Sequence, residues 1–563
     1  MKNLLCAASV AMILTSSAYS AGGDGSPFGS PSKTWLNING ISTLLTDVGI
    51  ADINGSGSGS GFVYPKGSGK TAVYCSGLLW GGTINGEVRV GGSAYRSGLQ
   101  AGRILAPGIA EDPNAPHVRI YRVRPDYLTA DLSSEVADEG TTVDIIRAQY
   151  ALDWNEWPAA SGAPFEDVND NGVYDPATDI PGVQGASQTI WFIANDLDVS
   201  LTTFLYGSNP IGVEVHTTIW ALPNPSFTNV LFKRFDIINK SGSAIDSMYI
   251  AQWMDADVGS SSDDLAGCDT TLALTYAYNA TNTDARYTPL PPPAVGYTLL
   301  QGPVVPSAGD TAFFFGRRIP NARNLGMNAA FYFVRGNAVL ANPPQGAYEG
   351  TIQFYRNSFQ GRIASNGQFY ADPQGHPTRY ALHGDPVNGT GWIDGSLASA
   401  GDRIQGLSTG PFSMAPNDTQ EVILAEIAAG ATDGVDRLQA ISLLKYSTGL
   451  VRSITFTGVT DPGIPASFSL SQNYPNPFNP STRLIIRMTN PGFVRFTVHN
   501  TLGQLVRTTV EQSLFAGDHE LVWDGRNAAG DQAPSGVYFF RVQRSNASGS
   551  GTTVEIRKGV LLR

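Results

Sequence analysis

Glycine and proline punctuate this chain densely, with 63 and 35 of its 563 residues. Such spacing leaves little room for long helices and favours short strands joined by turns. Apolar residues at 42% and aromatics at 10% supply a packed core, which sets the chain apart from disordered sequences rich in the same turn formers. At about 150 residues per domain, the length allows three or four domains, or two large β units and a small one. The expected class is mainly β: a large multi-lobed β-sandwich body followed by a small C-terminal β-sandwich.

The net charge of −12 argues against nucleic acid as a partner, because phosphate binding needs clustered Lys and Arg. The charge is uneven. From Phe468 onward the chain is net basic, ending in Arg557, Lys558 and Arg563, so the preceding body is strongly acidic. An acidic body attracts divalent cations. Residues 1–20 have the form of a signal peptide: Lys2, an apolar run over 4–14, and the small-x-small site Ala18-Tyr19-Ser20. No other stretch has the roughly 18 apolar residues of a membrane-spanning helix, so no transmembrane segment is expected after signal removal. Two cysteines then remain, Cys75 and Cys268. An oxidising compartment permits a bridge, and their apolar β-like surroundings equally suit two buried thiols.

Within the body, 21–457, strand-like runs fall at 71–79, 87–90, 118–123, 189–194, 212–220, 229–238 and 419–429. The alternation at 213–220 places Val213, Val215, Thr217 and Ile219 on one face and Glu214, His216, Thr218 and Trp220 on the other. Leu438, Ile441 and Leu444 give 434–447 a helical period. A division of the body into two lobes near 225 is one reading. A Gly/Pro-containing linker at 458–467 then leads to the tail, 468–563.

The tail opens on Gln472-Asn473-Tyr474-Pro475-Asn476-Pro477-Phe478-Asn479-Pro480-Ser481-Thr482, whose prolines cannot donate to a sheet. Alternating strands follow at 483–488, 494–499, 505–509, 520–523 and 537–542, separated by turns, as in a small Ig-like sandwich. This opening run, with Leu502-Gly503-Gln504-Leu505-Val506-Arg507, Ala516-Gly517-Asp518-His519, Trp523-Asp524-Gly525 and Ser535-Gly536-Val537-Tyr538-Phe539, resembles the type IX secretion sorting domain. That family is similar to the Ig-like domain of flagellar hook-capping proteins. The closing Lys558-Gly559-Val560-Leu561-Leu562-Arg563 resembles its terminal strand. The resemblance implies passage through the periplasm and across the outer membrane of a bacterium by the type IX export machinery. Removal of the tail would follow, with release or attachment to surface polysaccharide. In the body, 71–92, 255–269 and 408–421 resemble segments of large secreted proteins with the same tail, and that likeness carries no activity.

Two acidic segments are candidate calcium sites. In the first, Asp167, Asn169, Asn171 and Asp175 stand at positions one, three, five and nine of a loop with Gly172 at six, and Asp179 follows. This oxygen-ligand spacing matches a calcium loop, although Thr178 stands where an EF-hand has Glu, and Asn and Asp also build ordinary turns. The second segment holds Asp255, Asp257, Asp263, Asp264 and Asp269, which repel one another unless solvated or bridged by a cation.

Catalytic patterns are thin. Gly67-Ser68-Gly69-Lys70-Thr71 ends like a phosphate loop, but Tyr64 replaces its leading glycine. His376 and His383, near Asp385, have no metal-ligand spacing. Glu214, His216 and Trp220 suit a sugar-lined face or a plain exposed one, and Trp154 and Trp157 suit an aromatic platform or a core anchor. The expected function is therefore a calcium-stabilised, non-enzymatic secreted or surface protein acting in adhesion, glycan contact or envelope structure. The alternatives are a glycan-active hydrolase with two facing carboxylates and a docking scaffold for other exported proteins.

Overall fold

The computed structural model describes residues 32–54, 59–454, 468–488, 492–514, 517–545 and 552–563. The expected signal peptide at 1–20 and the linker at 458–467 lie outside the described residues. Strands cover 44% of the chain and helices 13%, so the mainly β expectation holds.

Two large antiparallel sheets form the body. The first runs Lys33–Leu36, Thr43–Thr46, Ala51–Ile53, Cys75–Ile84, Ile245–Ala256, Arg403–Met414, Met327–Val334, with Glu87–Gly92 also paired to Cys75–Ile84. The second runs Tyr121–Val123, Gln188–Asn195, Val213–Ala221, Val230–Asn239, Thr419–Ala429, Ala294–Gln301, Leu274–Asn279, Asp264–Asp269, with Gln100–Ala101 beside Gln188–Asn195. Their facing sides share one apolar core that includes Trp80, Ile250 and Met254 from the first sheet and Phe192, Val213, Val215, Ile219 and Leu424 from the second.

The expected division near 225 does not occur. Val213–Ala221 and Val230–Asn239 are neighbours in register, with Val215 opposite Ile237, and both sheets draw strands from either side of that point. The turn at 222–229 is a hairpin connection, and apolar residues on both its flanking strands face the same core.

Both sheets are also covered on their outer sides, so their strands are apolar on two faces. Leu79, Ala251, Trp253 and Phe331 of the first sheet pack with Phe354 of the helix Tyr348–Arg356 and with Phe359 and Trp392. Val230, Phe232 and Ile427 of the second pack against Ile441, Leu444 and Val451 of the helix Arg437–Arg452. Full burial of one such Leu stabilises by roughly 1.5–3 kcal/mol. The helix begins at Asp436, whose side chain accepts from the amides of Leu438 (2.9 Å) and Gln439 (2.8 Å). Gln439 Oε1 accepts from the Asp436 amide (2.9 Å), which closes a capping box. Cys75 and Cys268 are free, buried thiols.

The tail is a separate sandwich. Phe468–Leu470, Thr482–Met488 and Gly517–Trp523 form one sheet; Leu505–Leu514, Gly492–His499, Gly536–Ser545 and Thr552–Leu561 form the other. Its core holds Leu484, Ile486, Val494, Phe496, Trp523 and Phe540. The proline-rich run ahead of it contributes Phe478, which packs on Trp523 (5.7 Å) and Phe540 (6.1 Å).

Replacing Asp436 by Ala removes two amide acceptors from the first turn of the helix and is expected to cost about 1 kcal/mol locally. Hydrogen exchange at 437–440 should accelerate while later turns keep their protection; unchanged exchange there would contradict the cap's role.

Candidate metal centre

The antiparallel pairing of Ile245–Ala256 with Arg403–Met414 places Asp255 opposite Ile404 and Ala256 opposite Arg403. The residue after the first strand, Asp257, and the residue before the second, Asp402, are therefore brought together at the same end of the sheet. Asp255 follows Trp253 by two positions and shares its outer face. One ligand oxygen from each of Asp255, Asp257 and Asp402 lies within 4.8 Å of the others, the only such group of three among the described residues. Oxygens facing each other across a calcium ion are separated by about twice a Ca–O length of about 2.4 Å, which is the same span.

Each carboxylate is only partly satisfied by protein. Asp255 Oδ2 accepts from Tyr95 OH (2.8 Å), and Tyr95 is held edge-on to Trp253 with ring centroids 4.7 Å apart. Asp255 Oδ1 is buried and has no partner among the described residues, and Asp402 Oδ1 shares that state. Asp402 Oδ2 meets the exposed Arg335 guanidinium at 3.2 Å; Asp257 Oδ2 accepts from Ser60 Oγ at 3.5 Å. The three carboxylates border a cavity of about 490 Å³, lined also by Tyr74, Tyr95 and Asn342. Asn342 Oδ1 is a further buried oxygen without a partner.

The electrostatics follow from this crowding. Burial, and then the charges of Asp257 and Asp402, push the Asp255 carboxyl well above the usual carboxylate range. Burial and the Asp402 charge push Asp257 up to about 6. Arg286 and Arg335 both oppose the rise at Asp257, and two arginines do not balance three acids, whereas a divalent cation would. All available donors are oxygens, the set that suits hard cations such as calcium or magnesium.

The other expected site residues are distributed differently. Of the second acidic segment, Asp263, Asp264 and Asp269 do not join this group of three. Asp264 is fully buried, with Oδ2 accepting from the Val258 amide (3.4 Å), and Asp269 pairs with Lys445 at 3.1 Å. The strand 264–269 at the edge of the second sheet carries Asp269 away, while Asp264 stays close enough to feel the charge of Asp257.

The 167–179 loop joins the short strands Phe165–Glu166 and Ile180–Pro181. Asp167 accepts from the amides of Asn171 (3.1 Å) and Gly172 (2.6 Å), Asn171 from that of Val173 (2.7 Å), and Asp175 from that of Ala177 (3.0 Å). Asp179 is buried and accepts from the amides of Val168 (3.0 Å) and Asp175 (2.8 Å). Asn169 lies in the same loop and is exposed.

Glu214, His216 and Trp220 do not face solvent. Glu214 is buried and accepts from the Ile104 amide (2.5 Å) and pairs with His216 Nε2 (2.8 Å), while Trp220 stacks on Phe232 at 5.4 Å. Trp157 is a core residue beside Tyr121 and Trp191; Trp154 packs on Tyr127 at 5.6 Å. His376 pairs with Asp372 (3.0 Å), and His383 meets the Tyr380 carbonyl (2.8 Å). The 67–71 segment turns between two strands, with Lys70 Nζ donating to the carbonyls of Arg286 (3.0 Å) and Thr288 (2.9 Å).

The family model of the FlgD Ig-like domain matches residues 486–548, so the tail is an Ig-like domain. Among solved structures, a polysaccharide lyase aligns at 10% identity over 62% of this chain and 34% of its own, with a TM-score of 0.18. Dimeric latent PorU from Porphyromonas gingivalis aligns at 11% identity over 66% of this chain and 31% of its own (TM-score 0.16). PorZ, a surface component of the type IX secretion system of the same organism, aligns at 10% identity over 70% and 47% (TM-score 0.12). The chain thus spans 31% to 47% of the length of those structures, at scores too low to establish a shared fold. No curated protein matches it. No helix among the described residues is long and apolar enough to cross a membrane.

Asp255 and Asp257 both resist ionisation, and Asp257 contributes a pH response near neutrality. Its folded value of about 6 lies above the ordinary 3.8. The protonated carboxyl therefore favours the cation-free fold at low pH, and that contribution is lost as pH rises through about 6. A cation needs the ionised form. Divalent-cation affinity measured by calorimetry should fall between about pH 7 and about pH 5; a pH-independent affinity would contradict the assignment.

Proposed function

We propose that this chain is an exported, non-enzymatic secreted or cell-surface protein of a bacterium that holds calcium at Asp255, Asp257 and Asp402 and contacts glycan through the adjoining cavity. The observation that carries this reading is the convergence of three carboxylates, with the unpartnered, buried Asp255 Oδ1, on a cavity walled by Tyr74 and Tyr95. Tyrosine offers sugars both an apolar ring face and a hydroxyl. Calcium neutralises the carboxylates and fixes the cavity wall. The 167–179 loop, with Asp167, Asn169, Asn171, Asp175 and Asp179, is a second candidate calcium site.

Export rests on the signal-like N-terminus and the basic Ig-like tail. The tail acts as a type IX sorting module that is removed after passage. A chain ending before Phe468 should remain cell-associated and fail to reach the surface; normal surface delivery of that truncation would overturn the sorting role.

A hydrolytic reading draws on the same place, since Asp255 and Asp257 have raised affinities for protons inside a cavity. A two-carboxylate mechanism leaves Asp402 without a role, and the cation reading uses all three acids. The purified protein should deplete onto an insoluble polysaccharide in calcium and release it in chelator, with no new reducing ends. Replacing Asp255 by Asn should weaken calcium binding at least about tenfold, or ~1.4 kcal/mol. Release of reducing sugar that disappears in Asp255→Asn would establish the hydrolase instead.

A further inference from the structure

A second group of ionisable side chains lies between the two sheets, away from any surface. Lys233 points from the second sheet into the shared core, and Glu426 and Tyr297 reach the same point from adjacent strands. Asp52, Ser76 and Thr43 meet them from the first sheet. Lys233 Nζ stands 2.8 Å from Glu426 Oε2 and 3.9 Å from Asp52 Oδ2, and the three side chains are essentially inaccessible to solvent.

The Asp52 carboxyl is surrounded by donors. Thr43 Oγ1 donates to Oδ1 (2.8 Å); Ser76 Oγ and Tyr297 OH donate to Oδ2, the latter at 3.2 Å. Tyr297 OH in turn accepts from Lys233 Nζ at 2.6 Å. Asp52 has φ +66°, a strained conformation for a residue other than glycine.

We propose that Lys233 and Asp52 condense into an intramolecular amide that joins the two sheets, with Glu426 carrying the proton. The geometry supplies each part. The reaction starts from the minor tautomer in which the Lys233 proton has passed to Asp52, since the charges of Asp52 and Glu426 otherwise hold the ammonium charged. The Nζ lone pair attacks Asp52 Cγ, and the C–N bond forms while Ser76 and Tyr297 hold the negative charge on Oδ2. Glu426 takes a proton from Nζ and returns one to the departing Oδ1, the C–O bond breaks, and one water leaves. Nothing is oxidised or reduced. Burial, with the charge of Asp52, pushes Glu426 up to about 8, which suits a group that passes protons near neutral pH.

Nζ lies 3.9 Å from Oδ2, so attack on Cγ at a reacting distance of roughly 3–3.5 Å requires the two side chains to shift toward each other. A cavity of about 20 Å³ bordering Ser76, Lys233 and Thr217 leaves room for that shift and for one released water. Condensation also replaces two buried charges, which pay desolvation without solvent in return, by a neutral amide. The residues lie 181 positions apart in the chain and on opposite sheets, so the bond would prevent the sandwich from opening.

The test is peptide mapping of the full purified chain by mass spectrometry after denaturation. The expected result is a branched species joining the Asp52 and Lys233 peptides and lighter than their sum by one water. In Glu426→Gln the same two peptides should appear unlinked. Linear peptides alone in the unsubstituted protein would overturn the proposal, as would a branch from Lys233 to Glu426. Full linkage in Glu426→Gln would remove the proton-carrying role. The unsubstituted protein decides the bond itself even where a variant fails to fold.

Discussion

Ile245–Ala256 is hydrogen-bonded along its length between Cys75–Ile84 and Arg403–Met414, and the body is organised around that ladder. It joins three segments far apart in sequence, so loop-closure entropy must be met before any contact is gained. That entropy is offset by the backbone bonds of a twelve-residue strand and by apolar burial on both its faces, Met254 inward and Trp253 outward. The register then decides which chain ends meet. Asp257 and Asp402 become neighbours because one strand stops where its partner starts.

Charge occupies two different environments in this sandwich. At the end of the ladder, acids outnumber bases beside a solvent-connected cavity, and a mobile cation can restore neutrality. In the interior, Lys233 faces Asp52 and Glu426 without access to ions, and neutrality has to come from protons or from covalent chemistry. The same principle governs both: a carboxylate removed from water must find a positive partner or give up its charge.

Much of this fold was legible in local pattern. The strand Thr419–Ala429 coincides with the expected run, and the helix Arg437–Arg452 displays the spacing of Leu438, Ile441 and Leu444. Alternation correctly placed Val213, Val215 and Ile219 together, but it could not show that Glu214 and Trp220 are buried too, since the covering residues come from elsewhere in the chain. The candidate cluster was half visible. Asp255 and Asp257 stood out in an acidic segment, whereas Asp402 follows Gly401 in an unremarkable turn. Its signal is its place at the start of an alternating run, and only the pairing register gives that meaning. Lys233 stands beside Arg234 in a strand that also carries Asp236, and nothing local sets it apart, because a buried lysine is distinguished by partners that sequence does not display.

The most direct test of the calcium reading is terbium luminescence sensitised by protein aromatics, with terbium standing in for calcium. Tyr95, bonded to Asp255 at 2.8 Å, is placed to transfer energy to an ion held there. Calcium at this site predicts sensitised emission that calcium displaces, that falls in Asp402→Asn, and that persists in Asp175→Asn. Absence of sensitised emission, or emission that survives Asp402→Asn and vanishes in Asp175→Asn, would contradict it.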